Sequence, residues 1–156
     1  MALEIERKFI CTLTKEEALK LSFSNRSVTS VYLESSKESS FRVVKDVHHD
    51  GLVVCKWTKK TSLESALIRE EKEEYLPEIL FNNLNLDQYP KVIKQRYLIE
   101  INNKIWEIDF FEDYDFVIAE IEFNCIADAN NFTDLPTWIA QEVTEDPFYL
   151  NCNLAK

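Results

Sequence analysis

Side chains alternate between apolar and polar along most of this chain, and that period of two confines the fold to strands more tightly than any single motif does. The alternation runs through residues 3–12, 27–34, 40–47, 52–60, 66–76, 92–101, 104–111 and 116–124, several of them rich in β-branched residues. Two junctions read as hairpin turns: His48-His49-Asp50-Gly51, whose Asp-Gly pair supplies positive φ, and Asn102-Asn103. Helices are expected at three places. Thr14 and Glu17 form a capping box that opens one toward Leu21. Pro77 starts one over 78–86, and 133–154 reads as helical with a break near Pro147. Eight strands joined mainly by hairpins imply an α+β fold: a closed eight-stranded antiparallel β-barrel with flanking helices, in one domain spanning 1–156.

The charges fall on one face of these strands. Glu4, Glu6 and Lys8 share a face, with Ile5, Arg7 and Phe9 on the other. Arg42 lies between Phe41 and Val43, and Lys56 between Cys55 and Trp57. Lys94 and Arg96 oppose Ile93 and Tyr97; Glu107 and Asp109 oppose Trp106, Ile108 and Phe110; Glu120 and Glu122 oppose Ala119, Ile121 and Phe123. The apolar faces are too aromatic to sit in water, and most strands offer a single sign of charge, whereas a solvated surface mixes signs. The charged face is therefore assigned to the inside of a tunnel, with helices over part of an apolar exterior. Glu70, Lys72 and Glu74 fall on the outer face as solvated residues, and Cys55 also points outward. Buried charges must be paired or must bind something. Carboxylates hold a hard divalent cation such as Mg²⁺ or Mn²⁺. Lys and Arg hold phosphoryl oxygens. A metal–polyphosphate suits carboxylates on one wall and cations on another.

Composition removes the common alternatives. Gly51 is the only glycine, so neither a Walker A loop nor a Rossmann turn can form, and phosphate must be held by side chains. Cys11, Cys55, Cys125 and Cys152 show no CxxC spacing and read as reduced core thiols. A net charge of -10 disfavours nucleic acid and anionic membranes as partners. Charges from Glu4 onward rule out a secretory apolar segment at the start, and no apolar run approaches the roughly 18 residues that span a bilayer, so a cytoplasmic protein is expected, as monomer or homodimer. His48 and His49 read as residues of an exposed turn.

Glu4-Ile-Glu6-Arg-Lys8 resembles the ExExK signature of the CYTH superfamily, also called triphosphate tunnel metalloenzymes, which includes class IV adenylate cyclases and thiamine triphosphatases. The likeness covers nearly the whole chain. It resumes at Tyr32-Leu33, Phe41-Arg42-Val43, the Lys56 strand, Arg69-Glu-Glu71-Lys-Glu73 and Leu76-Pro77. It continues through Ile93-Lys94-Gln-Arg96-Tyr97, Trp106-Glu107-Ile108-Asp109 and Ala119-Glu120-Ile121-Glu122 to Glu142-Val143-Thr144 and Tyr149-Leu-Asn151. The resemblance implies an eight-stranded tunnel in which Glu4, Glu6, Glu120 and Glu122, with Asp109 and Glu107 as neighbours, hold the metal. It implies that Lys8, Arg42, Lys56, Arg69, Lys94 and Arg96 grip the triphosphate, and that Glu4, Glu6 and Lys8 are the catalytic set. Glu71 and Glu73 either line that wall or pair with its cations. The family places a second Arg two residues after Arg42; Val44 stands there, which removes a contact of about 1.5–3 kcal/mol, and Lys45 points to the other face.

The activity so implied is hydrolysis of the terminal phosphoryl group of a triphosphate, with inorganic triphosphate as first choice. One metal would bridge carboxylates and phosphoryl oxygens, and a second would position the attacking water. Three alternatives stay open: a class IV adenylate cyclase, although the His-Phe pair that precedes ExExK there is missing; a thiamine triphosphatase, with Trp138 or Trp57 as platform for the ring; and a polyphosphate-binding protein without turnover, for which Val44 is the motive. Trp138 otherwise packs the C-terminal segment onto the barrel, and that segment is expected to plug one tunnel mouth and so favour short substrates.

Overall fold

A computed structural model describes residues 2–63 and 65–156. In chain order the elements are β1 (Ala2–Cys11), α1 (Lys15–Leu21), β2 (Ser24–Ser35), β3 (Ser39–His48), β4 (Val53–Ser62), β5 (Ile68–Leu76), α2 (Glu78–Asn82), β6 (Lys91–Ile101), β7 (Lys104–Phe111), β8 (Val117–Phe123), α3 (Ile126–Asn131), β9 (Ile139–Glu142), a 3-10 turn (Pro147–Tyr149) and α4 (Asn151–Leu154). The strands form one antiparallel sheet in the order β5-β4-β3-β2-β6-β7-β8-β1-β9. Pairing of Ala2–Ile5 with Ile68–Glu71 joins β1 to β5 and closes the eight-stranded barrel. The strands are staggered, so β1 outruns β5, and β9 pairs with Phe9–Cys11 along the part that β5 leaves free.

The turns form as their residues dictate. Gly51 has φ +94° in the β3–β4 turn, and Asn102 and Asn103 take φ 51° and 65° in the β6–β7 turn, the left-handed pair that a two-residue hairpin needs. Thr14 and Glu17 close the capping box of α1 reciprocally.

Most of the hydrophobic core lies outside the barrel wall. Ile5, Phe9, Trp106, Ile108, Ala119 and Ile121, on the outer faces of β1, β7 and β8, pack under α1, α3 and the segment that carries Phe132 and Trp138. Trp106 is 1% exposed and contacts Phe9, Phe132 and Trp138, the last edge-on at 5.4 Å between centroids. A second outer cluster sets Val31, Val43 and Cys55 against Phe81 of α2. The third is different: Tyr32, Val92, Phe111 and Ile118 lie on tunnel-facing positions near one end and pack on Val143 and Leu154. They close that end with apolar side chains, so the tunnel is a cup with one mouth.

Three sequence expectations change. Residues 133–154 are not a helix: β9, the 3-10 turn and the four-residue α4 replace it, because the free edge of β1 captures residues 139–142 and Pro136 and Pro147 interrupt the run. The C-terminal segment nevertheless blocks one end of the tunnel, as expected. The helix after Pro77 stops at Asn82 rather than 86, where Asn82, Asn83 and Asn85 are poor helix formers. β2 starts at Ser24, three residues early, which brings Arg26 into the wall. Trp138 and Trp57 both sit on the barrel exterior, Trp57 against Phe41 at 5.7 Å, so neither forms a platform at the mouth. Among the described residues no helix is long and apolar enough to cross a membrane.

Arg7 fastens the outer layer to the barrel. Its guanidinium donates to Glu142 at 2.7 and 2.9 Å and to the carbonyls of Ala129 and Phe132 at 3.0 and 2.7 Å. Arg7→Met leaves those carbonyls and the carboxylate without their donor; the expected loss is about 1–3 kcal/mol, read as a lower urea midpoint at unchanged slope.

Candidate active site

Even-numbered positions of β1, β2, β3, β4, β6 and β8 and odd-numbered positions of β5 and β7 face inward, as the ladder registers require. They enclose a polar cavity of about 240 Å³ lined by Glu4 and Glu6 of β1, Arg26 and Val28 of β2, Arg42, Val44 and Asp46 of β3, and Lys56 and Lys60 of β4. Arg69, Glu71 and Glu73 of β5, Lys94 and Arg96 of β6, Glu107 of β7, Glu120 and Glu122 of β8, and Asn151 complete it. Among the described residues seven cations meet eight carboxylates there. The lining is close to balanced, so it suits a cation and an anion together better than either alone.

The two signs occupy the two walls expected of them: β4, β3, β2 and β6 stand side by side and carry cations, Asp46 excepted, β7, β8 and β1 stand side by side and carry the carboxylates of the cavity, and β5 is mixed, so opposite charges pair mainly where the walls meet. Asp109, fully buried, accepts from Lys94 at 2.8 Å and from Arg96 at 2.7 and 2.7 Å. Arg96 also donates to Glu107 at 2.8 Å. Lys56 pairs with Glu73 at 3.2 Å, and Lys60 with Glu4 at 3.0 Å and Glu71 at 3.5 Å. Burial is the main influence on Asp109, but Arg96 and Lys94 outweigh it and hold this carboxyl below its ordinary range. Burial, then Arg96, brings Lys94 down to about 8.

Glu4, Glu6 and Glu122 each offer a carboxylate oxygen within 4.8 Å of the others. Three hard oxygen donors converging in this way fit a divalent cation. Burial and then the carboxylates of Glu120 and Glu4 push Glu6 up to about 8, so this group lacks sufficient positive charge around it. Burial raises Glu4, yet Lys60, a hydrogen bond to Glu71 and Arg69 leave it net below the carboxylate range. Burial and the hydrogen bond to Glu4 raise Glu71 to about 7.

The sequence-predicted residues thus divide. Glu4, Glu6 and Glu122 come together; Glu120 and Asp109 do not join that trio. Glu120 faces Lys8 at 3.5 Å and Arg96 at 3.9 Å, and although burial works against it, Lys8 and Arg96 hold it anionic. Arg42, Lys56, Arg69, Lys94 and Arg96 all line the cavity, whereas Lys8 lies off it, in a crevice with Thr144 and Leu150. Lys8 donates to the Tyr149 carbonyl at 3.0 Å at the closed end. Glu71 and Glu73 do both things expected of them, lining the cavity and pairing with Lys60 and Lys56. Val44 is 2% exposed and, with Val28, forms the apolar part of the lining.

Sequence reasoning missed Lys60, Arg26, Asp46 and Asn151. Lys60 lies four residues after Lys56, and Asp46 four after Arg42, so continued alternation signals both. Arg26 precedes the expected start of its strand, and Asn151, although within the Tyr149-Leu-Asn151 resemblance, arrives from the C-terminal segment, where strand alternation assigns no inward face. Among the described residues four buried side-chain polar atoms find no protein partner: Arg26 Nε, Arg42 Nε, Thr58 Oγ1 and Asn151 Oδ1. All four belong to inward positions of this tunnel or to its plug. Among the described residues Arg42 has no carboxylate partner, only Ser30 Oγ and Tyr32 OH at 3.4 Å each. Buried polar atoms without a protein partner around a charged cavity are placed to bond a ligand or water.

No family model matches the chain. It is 33% identical over 160 residues to the inorganic triphosphatase of Acetivibrio thermocellus, covering 100% of this chain and 95% of that one. The crystal structure of the inorganic triphosphatase NE1496 has the same fold, with a TM-score of 0.63 at 24% identity over 99% of this chain and 95% of the other. A protein of Pyrococcus horikoshii OT3 matches at a TM-score of 0.59 and 21% identity, covering 81% of this chain and 83% of its own. With a relative shared along its full length, and with the barrel and the charged tunnel that the ExExK strand led one to expect, the chain belongs to the inorganic triphosphatase branch of the CYTH, or triphosphate tunnel, family.

Proposed function

We propose that this chain hydrolyses the terminal phosphoryl group of inorganic triphosphate, releasing phosphate and diphosphate, in a reaction that requires Mg²⁺ or Mn²⁺. The observation that carries the reading is Arg42: a cation without a carboxylate partner among the described residues, turned into a blind, charged cup beside three converging carboxylates. The name of the Acetivibrio thermocellus relative supports the same substrate. Apart from its closed end, the cavity is lined among the described residues by apolar side chains at Val28 and Val44 alone and by no flat aromatic surface, which favours a bare phosphate chain over a nucleotide or thiamine derivative.

Glu4, Glu6 and Glu122 would hold the divalent cation. Bound there, such an ion supplies charge neutralisation on phosphoryl oxygens and an acidified water. The chain's own residues do the rest. Arg42, Lys56, Lys94 and Arg96 project donors at the phosphoryl oxygens and stabilise the charge that collects on the departing diphosphate. Asp109 and Glu107 hold Arg96 as a fixed fork, so little reorganisation is needed when that charge develops. The closed end forces substrate to enter and products to leave by one mouth. A cytoplasmic setting agrees with the four free thiols.

Phosphate release from inorganic triphosphate, ATP and thiamine triphosphate, each with Mg²⁺, Mn²⁺ or EDTA, tests the reading. Fastest release from inorganic triphosphate, abolished by EDTA, is expected, and no release from any of them would refute it. Arg42→Met should raise the KM for triphosphate about tenfold or more. Glu122→Gln and Asp109→Asn separate the two kinds of carboxylate. Glu122→Gln should weaken Mn²⁺ binding about tenfold with little change in melting temperature. Asp109→Asn strands Lys94 and Arg96 and should cost about 3–5 kcal/mol of stability even without metal.

A further inference from the structure

The carboxylate trio is not bare. One nitrogen of Arg69, Nη2, lies 3.0 Å from Glu4 Oε1 and 3.0 Å from Glu6 Oε1. Lys60 Nζ lies 3.0 Å from the same Glu4 oxygen. Two basic side chains therefore already contact carboxylates of the trio. The backbone beneath Arg69 cannot give way, since it is paired on both sides, opposite Glu4 of β1 and Ser62 of β4. The side chain can move: several rotatable bonds separate the guanidinium from that fixed point, and the cavity lies directly beside it.

Resting on the metal-dependent reading above, we propose that Arg69 is an internal stand-in for the divalent cation: it holds Glu4 and Glu6 together until the ion arrives, is displaced by it, and then turns to the triphosphate. The argument is one of shared lone pairs. A carboxylate oxygen that accepts a charged hydrogen bond from Nη2 cannot also face a divalent ion at bonding distance without bringing two positive centres within a few ångströms of each other. An ion among the three carboxylates therefore favours a guanidinium that has moved away. Before the ion binds, Arg69 screens Glu4 from Glu6, so three acidic groups can converge without a metal. Once displaced, the guanidinium needs a new anion, and phosphoryl oxygens match its geometry.

The ion and the triphosphate then favour each other through Arg69 as well as by direct contact, and the coupling is reciprocal. Arg69 is in this sense a positioning residue whose removal affects the two ligands in opposite directions. Removing a lysine or arginine that merely lines the tunnel would weaken triphosphate and leave the metal unaffected.

Calorimetric titration of Mn²⁺ alone into the folded protein and into Arg69→Met tests this without any turnover. The expected result is Mn²⁺ binding about tenfold tighter in Arg69→Met, the inverse of an ordinary site mutation, with a larger upward shift of melting temperature on adding Mn²⁺. At saturating Mn²⁺ the KM for inorganic triphosphate should rise in the same variant, because the displaced guanidinium is the one that reaches the phosphoryl oxygens. Arg69→Lys keeps the charge but reaches with a single ammonium, and its Mn²⁺ affinity should fall between the two. Unchanged or weaker Mn²⁺ binding by Arg69→Met, in protein whose circular dichroism matches the parent, overturns the stand-in role alone. No Mn²⁺ binding by the unaltered protein overturns the metal-dependent reading, and this inference with it.

Discussion

Four residues of β1 laid against four of β5 turn this sheet into a tunnel. Without that short ladder the charged face of every strand would be one side of an open, curled sheet, and its lysines, arginines and glutamates would be solvated singly. With it, they are drawn into a space where water is scarce and each must find a partner. The same ladder sets Glu4 opposite Arg69, and Glu6 follows two residues along β1, so closure of the barrel and assembly of the acidic trio depend on one register. A slip of one residue would turn the carboxylates outward and bring Ile5 into the cup.

Burying so much charge has a structural consequence. The interior contributes little apolar burial except at the plugged end, so the stabilising core has moved outside the wall, where Trp106 and its aromatic neighbours lie beneath α1, α3 and the segment around Trp138. The flanking elements are short, and they complete a core that the barrel cannot hold inside. Arg7 belongs to this outer layer although it lies between two residues of the acidic motif, since one residue along a strand is the difference between tunnel and exterior.

Inside, the charges serve two purposes that share a type of residue but not a geometry. Asp109 is saturated by Lys94 and Arg96, and Glu120 faces Lys8 and Arg96; these carboxylates aim cations. Glu4, Glu6 and Glu122 lie near the mouth with too little positive charge around Glu6, and Arg42 stands without a counter-ion among the described residues. A site that is balanced as a whole and unbalanced locally accepts a cation at one point and an anion at another.

Alternation alone made the eight strands, the inward face, both hairpin turns and most of the lining legible, because each depends on side-chain direction along one strand. The sequence could not say which charges would pair. Asp109 and Glu122 look alike as acidic residues on alternating strands, and only register puts the first between two cations and the second beside Glu4 and Glu6. Nor could it reveal the fate of 133–154, whose apolar spacing suits a helix. A staggered barrel leaves the far half of β1 without a partner, and an unpaired strand edge recruits whatever chain can reach it, whatever that chain's own preference. Local pattern thus determined the faces of the strands, and long-range backbone pairing, a property of the closed sheet and of no single segment, decided which residues meet across the tunnel and where it ends.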